Sequence, residues 1–511
     1  MQKTRKTLAM ALTFVLMLAL LAACGSSEKK GEGGGSSNGT QPEKNSTAPS
    51  NKPKERLKIS MMYPLSGDAP QKSEAWKYME DLLDVELDLI AVPASGYLEK
   101  VSLTVASGEL PDLMVWTTYP DPELIKYIRQ GAFKQLDDVV GNYKNIMETP
   151  EQTFENVKVD KKLYSIPRTR PLQTSAAYIR KDWLDNLNLE IPKTVEEFAD
   201  IALKFTTMDP DQNQKDDTFG IALGEELVFL DQLWMAFDAG NQWREKEDGT
   251  LESWHVSEGR KEAINWVTEL YKKGAIDRDF PVLNYAQVNE KFIAGKMGIM
   301  IGGGVTNYGQ FLADAQKLNP KAEFIMIDPP VGPTGKTGVM QSHGFYGHWV
   351  ISNKVSDDKL AKIMEVLDWQ ATQEALDFKR VGIEGIHYNM ENGAPVLTDQ
   401  YKADGVLNLV AHNKFNPYYT TPGAPEEVAQ AQLDEWKKIE KLGVPNPAVA
   451  VLTPAMQEKQ ADLNKFAMEY YISVVVGQKS IDTFDAFVEE WNKKGGEQMT
   501  KEVNEWYAAN K

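Results

Sequence analysis

One stretch of the chain spaces its oxygen side chains as a hard cation would require. In Asp209-Pro210-Asp211-Gln212-Asn213-Gln214-Lys215-Asp216-Asp217, oxygens fall at loop positions 1, 3, 5 and 9, and the carbonyl of Lys215 falls at position 7. An EF-hand loop surrounds Ca²⁺ in this order. The expected ligand set is Asp209, Asp211, Asn213, Lys215 through its carbonyl, and Asp217, holding a structural Ca²⁺ with no catalytic role. Two positions depart from the pattern. Gln214 stands where glycine is usual, and Gly220 stands where a bidentate glutamate closes the shell. Thr218 or a nearby acid is the expected substitute. The competing reading is a solvated acidic turn.

Nothing else in the chain asks for catalysis. Histidines 255, 343, 348, 387 and 412 are scattered, and neither His-Glu-x-x-His nor Gly-x-Ser-x-Gly occurs. With 74 Asp and Glu, carboxylate pairs are inevitable, so no pair can be nominated as a glycosidase site. Pro330-Val331-Gly332-Pro333-Thr334-Gly335-Lys336-Thr337 imitates a phosphate loop but lacks its first glycine and a following helix, and reads as a surface turn. Gly302-Gly303-Gly304 reads as a flexible loop that lets backbone approach a ligand. Binding without turnover is therefore expected, and no catalytic residue is assigned.

The only cysteine, Cys24, has its own chemistry. Lys3, Arg5 and Lys6 precede an apolar run from Leu8 to Ala23, which is shorter than the roughly 20 residues of a membrane span. A basic head, a short apolar segment and small residues form a secretory leader. Leu21-Ala22-Ala23-Cys24 resembles the lipobox of bacterial lipoproteins. That resemblance implies cleavage after residue 23, acylation of Cys24, and a position on the outer face of the cytoplasmic membrane. Residues 24–54 are rich in Gly, Ser, Asn, Lys and Pro without hydrophobic period, which reads as a disordered tether.

The full chain carries a formal charge of −18, and loss of the leader removes three positive charges. Such a surface repels phosphate backbones, which argues against nucleic acid as a partner. Composition, 42% hydrophobic and 25% charged, is that of a soluble globular protein of two or three domains. With Cys24 acylated, no disulfide forms within one chain.

The elements that must position any site alternate from Leu57 onward. Strands are expected at 57–62, 87–92, 113–116, 163–166, 176–179, 220–223, 297–301, 324–327 and 346–351, with helices between, which implies βαβ units and a mainly parallel sheet. A long helix is expected over 257–273, with Ser257 as its cap and Gly274 as its stop. After Asp357 the chain reads as mostly helical. Ligands gather at the carboxyl ends of parallel strands. That rule selects Tyr63, Trp116, Arg168 and the segment 303–308, which includes Tyr308. Trp116, Trp234, Trp243 and Tyr308 are candidates for stacking on a flat ligand face, with core packing as the alternative.

Five segments together carry a wider resemblance. They are Gly108-Glu109-Leu110-Pro111-Asp112, Leu163 to Arg168, Ile179 to Asp185, Asp209 to Gly220, and Gly382-Ile383-Glu384-Gly385-Ile386-His387-Tyr388. In order and spacing the chain resembles the family 1 extracellular solute-binding proteins of ABC importers, and most of all the large oligosaccharide-binding lipoproteins of Gram-positive bacteria, related to alginate-oligosaccharide receptors. The resemblance implies an α/β, two-lobed, periplasmic-binding-protein-like type II fold with hinge crossings and a helical C-terminal region. It places crossings near 163–168 and 342–345, one lobe at 55–166 plus 346–395, and the other at 167–341 plus 396–511. It implies a monomer that takes an oligosaccharide to the transmembrane subunits of an ABC permease, and structural calcium on the loop. It adds His343, Tyr346, Glu384 and Tyr388 as cleft residues. Arg168 and Arg170, just after the first crossing, are read either as ligands of hydroxyls or a uronate or as members of a hinge salt bridge. Two other classes stay open: a secreted carbohydrate-active enzyme, and a partner that presents ligand to a membrane sensor.

Overall fold

Strand and helix alternate from Leu57 to Trp116 and build the first of two main sheets in the computed structural model. Residues 56–65, 67–391, 394–412, 414–421 and 424–510 are described. The leader expected at 1–23, Cys24 and the tether expected at 24–54 lie outside them. Leu57–Leu65 runs parallel to Val85–Pro93 over its whole length, from Leu57 against Val85 to Leu65 against Pro93. Between them lies helix Glu74–Leu83, capped by the Ser73 hydroxyl and ended at Asp84 in the left-handed region. Helix Tyr97–Ser107 stops at Gly108, with φ 70°, and leads into Leu113–Trp116, a strand buried at every position.

The sheet is completed by chain that arrives from elsewhere. Its order is Val85–Pro93, Leu57–Leu65, Leu113–Trp116, Phe345–Ile351, Ser165–Thr169. Phe345–Ile351 runs antiparallel to both of its neighbours. The second sheet has the order Phe324–Ile327, Ser175–Arg180, Met297–Gly304, Phe219–Ile221, and only its last pair is parallel. The mainly parallel sheet expected from alternation is thus corrected to two mixed sheets. A strand entering a lobe from the other one has no crossover helix to turn it round, so it can join with the opposite sense.

Each sheet has its own core. The first gathers Ile59, Met61, Val115, Ile166, Trp349, Ile351 and Leu367, and it continues through Tyr401, Val406, Leu409, Val410 and Ala411. The second sheet separates two layers. One holds Ile179, Trp183, Phe205, Ile299 and the C-terminal helices, and the other holds Tyr178, Phe292, Met300 and Phe324. Each such side chain contributes roughly 1.5–3 kcal/mol by leaving water. The C-terminal region is helical: Pro454–Val475 packs on Glu258–Lys272, and the ring of Tyr470 stacks on Phe487 with centroids 4.2 Å apart. Ser257 caps the latter helix, its hydroxyl accepting from the amide of Arg260.

Two local expectations change. Gly302, Gly303 and Gly304 end strand Met297–Gly304 and are no loop: a Cβ on Gly303 would press into the ring of Tyr178, whose hydroxyl donates to the Gly304 carbonyl. Gly220 is glycine for a similar reason, because a Cβ there would collide with the backbone of Ala202 in helix Val195–Thr207. No glutamate can stand at that point of the acidic loop. Thr218 is also committed inward, its hydroxyl donating to the carbonyl of Phe205 at 2.8 Å. Gly220→Ala is expected to destabilise the fold by about 1–3 kcal/mol, the range for overpacked interiors, as read from urea unfolding; an unchanged midpoint would contradict this packing.

Candidate ligand-binding site

The two sheets are joined by chain segments that lie side by side. The first leaves strand Ser165–Thr169 and enters Ser175–Arg180; the second leaves Val339–Met340 and enters Phe345–Ile351. Thr169 pairs with Phe345, the amide of Arg170 donates to the carbonyl of Gly344 at 2.7 Å, and the amide of Ser342 donates to the carbonyl of Leu172 at 2.7 Å. Helix Glu151–Val157 braces the second segment, with the Asn156 side chain donating to the carbonyl of His343 at 3.0 Å. A register shift between Phe345 and His348, with Gly347 at φ 104°, bends the strand here and re-aims Tyr346.

Three cations gather at this bend. The guanidinium carbons of Arg168 and Arg170 stand 4.4 and 4.0 Å from the ring centroid of Tyr346. Arg168 is buried and donates from Nε to the carbonyl of Ala411 at 3.0 Å, whereas Arg170 is exposed. Burial is the main influence lowering the Arg168 pKa, and Arg170 adds to it. Lys379 lies in the last turn of helix Gln373–Val381. Burial first, then Arg168 and Arg170, bring its pKa down to about 8. His412 feels the same field: burial, Arg168 and Lys379 hold it down to about 3, so it is neutral. No Asp or Glu among the described residues forms an ion pair with Arg168 or Arg170.

Beside the crossings, on the second lobe, a polar cavity of about 280 Å³ opens. Its walls include Thr174, Asp231, Asn241, Gln242, Ser342 and His343. Asn241 is fixed by donating to the carbonyls of Gln341 at 2.8 Å and Val444 at 2.9 Å, and Gln242 accepts from Asn446 at 3.1 Å. The hydroxyl of Ser175, only 8% exposed, lines the cavity without a hydrogen-bond partner among the described residues. Burial raises the Asp231 carboxyl to about 6, with Arg260 pulling the other way. Hydroxyl, amide and carboxyl groups converging on one space form a surface for a polyhydroxylated ligand.

The sequence candidates divide accordingly. Arg168, Arg170 and Tyr346 come together, and His343 lines the cavity with its ring 6.4 Å from Tyr119 and 5.7 Å from Phe345. Tyr63, Trp116, Trp234, Trp243 and Tyr308 are each at most 5% exposed and sit in cores, so none offers a face for stacking. The Tyr63 hydroxyl donates to the carbonyl of Asn408, the Tyr308 hydroxyl donates to the carbonyl of Phe324, and the Arg260 guanidinium covers Trp234 at 4.0 Å. Glu384 and Tyr388 bridge each other through the backbone in the loop before hairpin Tyr388–Glu391 and Ala394–Leu397, where His387 meets Asp404 at 3.0 Å. Lys379, His412, Asp231, Asn241 and Gln242 were missed, because they come from separate segments with no local motif. The one signal for Lys379 was its place just before the Gly382–Tyr388 motif.

The acidic loop keeps part of its expected form. The Asp209 carboxylate accepts from the amides of Asn213 and Gln214, both at 3.0 Å, and Gln214 takes the left-handed φ of 62° that glycine usually supplies. The Asn213 amide donates to Asp211 at 2.7 Å and to Asp217 at 3.1 Å, and Lys296 binds Asp217 at 2.5 Å. Burial raises the Asp211 pKa, and neighbouring Asp209 and Asp217 add to it. The oxygen types and backbone path suit Ca²⁺. Yet no three His, Cys, Asp or Glu side chains among the described residues stand close enough together to hold a metal. Lys296 supplies the positive charge at Asp217.

Known proteins share this architecture. Residues 68–376 match the family described as bacterial extracellular solute-binding protein. The polygalacturonan/rhamnogalacturonan-binding protein YtcQ of Bacillus subtilis (strain 168) is 30% identical over 469 residues, covering 89% of this chain and 92% of that one. Lipoprotein LipO of the same organism is 28% identical over 470 residues, covering 89% and 93%. The structure of the Streptococcus pneumoniae ABC-transporter substrate-binding protein FusA in complex with kestose superposes with a TM-score of 0.64 at 20% identity, over 89% of this chain and 100% of that one.

Acid should unfold the protein through its buried histidines. His255, His348 and His412 are held down to about 3, chiefly by burial. Unfolded histidine titrates near 6.5, so between these values the unfolded chain binds more protons and stability falls as pH falls, by up to about 1.4 kcal/mol per pH unit for each. Asp231 works in the opposite sense but is a single group acting between about 4 and 6. The melting temperature is expected to drop steadily from pH 7 to 4.5, and less steeply in His348→Gln. A flat profile would contradict the neutral, buried state.

Proposed function

The chain belongs to the bacterial extracellular solute-binding protein family, and we propose that it captures an oligosaccharide and delivers it to an ABC permease. The observation that carries the ligand class is the amide- and hydroxyl-lined cavity beside the crossings, whose second segment also carries an aromatic ring flanked by guanidinium groups. Sugars present many hydroxyls at once, and fixed groups such as the Asn241 amide bind them without ordering cost. The relatives support the reading: YtcQ is described as binding polygalacturonan and rhamnogalacturonan, and FusA was solved with kestose.

In this reading the lobes are 56–168 with 345–411, and 174–341 with 424–510. A ligand that touches both favours the closed arrangement over the open one. The protein is a monomer, binding is non-covalent, and the sugar leaves unchanged. Cys24 carries the lipid and residues 24–54 the tether, which holds the receptor at the outer face of the membrane; the similarity to a protein called a lipoprotein supports this. Two or more acyl chains, at about 0.8 kcal/mol per buried CH₂, make such attachment stable.

We also propose that Ca²⁺ enters the loop at Asp209, Asp211, Asn213, Asp217 and the carbonyl of Lys215, displacing Lys296 from Asp217. Its role is to brace the strand start at Phe219, not to touch the ligand.

Two measurements test these proposals. Incubation with an oligosaccharide at a hundred times its Kd should add about 2.7 kcal/mol of stability, and chromatography should return the sugar intact; shortened products would replace the receptor by an enzyme. Calcium at about 10⁻³ M should raise the melting temperature of the wild type and not of Asp209→Ala. Equal melting with calcium and with chelator would remove the metal.

A further inference from the structure

Among the described residues only two aromatic side chains are exposed, Tyr78 and Tyr285. Tyr78 is held by helix Gln373–Val381, stacked on Phe378 and donating to Glu374. Tyr285 stands at the first position of helix Tyr285–Ile293, whose start Asn284 and Gln287 fix with a capping box. One face of its ring lies on Phe229, with centroids 4.7 Å apart and planes 28° from parallel. Phe229 is 3% exposed, whereas Tyr285 is 48% exposed. Covering Phe229 asks for an apolar group, and an aliphatic side chain meets that need without leaving a large ring in water.

The backbone places this ring at the end of the second sheet where the first crossing enters. Ser175 pairs with Gly304, so strand Met297–Gly304 ends there. Strand Phe219–Ile221 runs parallel to it, and the loop that follows turns over the same end. In that loop the amide of Glu225 donates to the carbonyl of Leu283 at 2.8 Å, and the backbone of Phe229 lies 3.1 Å from where a Cβ on Gly302 would stand. Burial raises the Tyr178 pKa and Tyr285 adds to it, so the two hydroxyls are within electrostatic reach, and that of Tyr178 donates to the carbonyl of Gly304. Two residues beyond Phe229, Asp231 lines the polar cavity. Leu227 and Phe229 hold φ of 56° and 70°, a conformation that bulky side chains rarely adopt and that gathers at ligand clamps.

Resting on the oligosaccharide reading above, we propose that Tyr285, backed by Phe229, is the stacking platform of the site: the flat C–H face of one sugar unit lies on its open side, while hydroxyls of a neighbouring unit reach the polar cavity. The negative face of the aromatic ring attracts C–H groups, and the contact takes apolar surface of both partners out of water. It also selects by shape, because a hydroxyl standing on the stacked face of the sugar would be buried without a partner.

Calorimetry with kestose, cellotriose and a galacturonic acid trisaccharide tests this, the probe that wild type binds most tightly being used for the variants. Tyr285→Phe should keep that affinity within about threefold, and Tyr285→Leu, which still covers Phe229, should lose about tenfold while melting at the wild-type temperature without sugar. Independently of any substitution, the same probe at saturation should slow nitration of Tyr285 by tetranitromethane in the wild type, as read by peptide mass. If Tyr285→Leu melts lower, this second readout decides. Wild-type affinity in Tyr285→Leu, an equal loss in Tyr285→Phe, or nitration at the same rate with and without the probe overturns the inference and leaves the oligosaccharide reading intact. If no probe binds the wild type, both fall.

Discussion

The hydrogen-bonded pairing of residues 169–172 with 342–345 is the constraint on which the rest of the molecule depends. Through it the chain passes from one sheet to the other and back, so strands from distant parts of the sequence share a sheet. It explains the antiparallel strand Phe345–Ile351 inside an otherwise parallel first sheet. It also explains why these polar and aromatic groups gather here. Arg168 and Arg170 lie on one segment, Ser342, His343 and Tyr346 on the other, and the ladder between them fixes their spacing. A pair of extended segments can bend without breaking this ladder, as a hinge between lobes must.

Burial and charge act together at the bend. The interior offers Arg168 the carbonyl of Ala411 and the ring and hydroxyl of Tyr346, and no carboxylate among the described residues forms an ion pair with it. The same field keeps His412 neutral and Lys379 easy to deprotonate. Functional sites often hold such unbalanced groups, since a site that satisfies itself has little left for a ligand. Asp231 and the unpartnered hydroxyl of Ser175 show the same feature in the neighbouring cavity.

Much of the fold was legible in the chain because its signals are local. Ser257 before a 3.6-residue period marked one helix. The apolar run Leu113–Trp116 could only be a buried strand. The sense of the strands was not legible, since direction is set by which lobe the chain arrives from. The burial of the stacking candidates was not legible for a related reason. Trp116, Trp234, Trp243 and Tyr308 have the chemistry of sugar contacts, but large rings also close cores, and here they do. Glycine carried an ambiguous signal as well. Gly303 and Gly220 mark close packing against Tyr178 and Ala202, where the sequence suggested looseness in one case and a missing ligand in the other. Arg168, Arg170 and Tyr346 were named from the sequence because they adjoin the crossings. Asp231, Asn241 and Lys379 were not, because only the folded chain brings them near.

The central claim is that a sugar chain is held at the crossings and touched from both lobes. A crystal structure of the protein with its bound oligosaccharide tests it most directly. The account predicts one ligand, chemically intact, running from the Asn241 and Asp231 cavity to the ring of Tyr346. A ligand lodged on an outer face of either lobe, with the paired segments 169–172 and 342–345 bare, would contradict it.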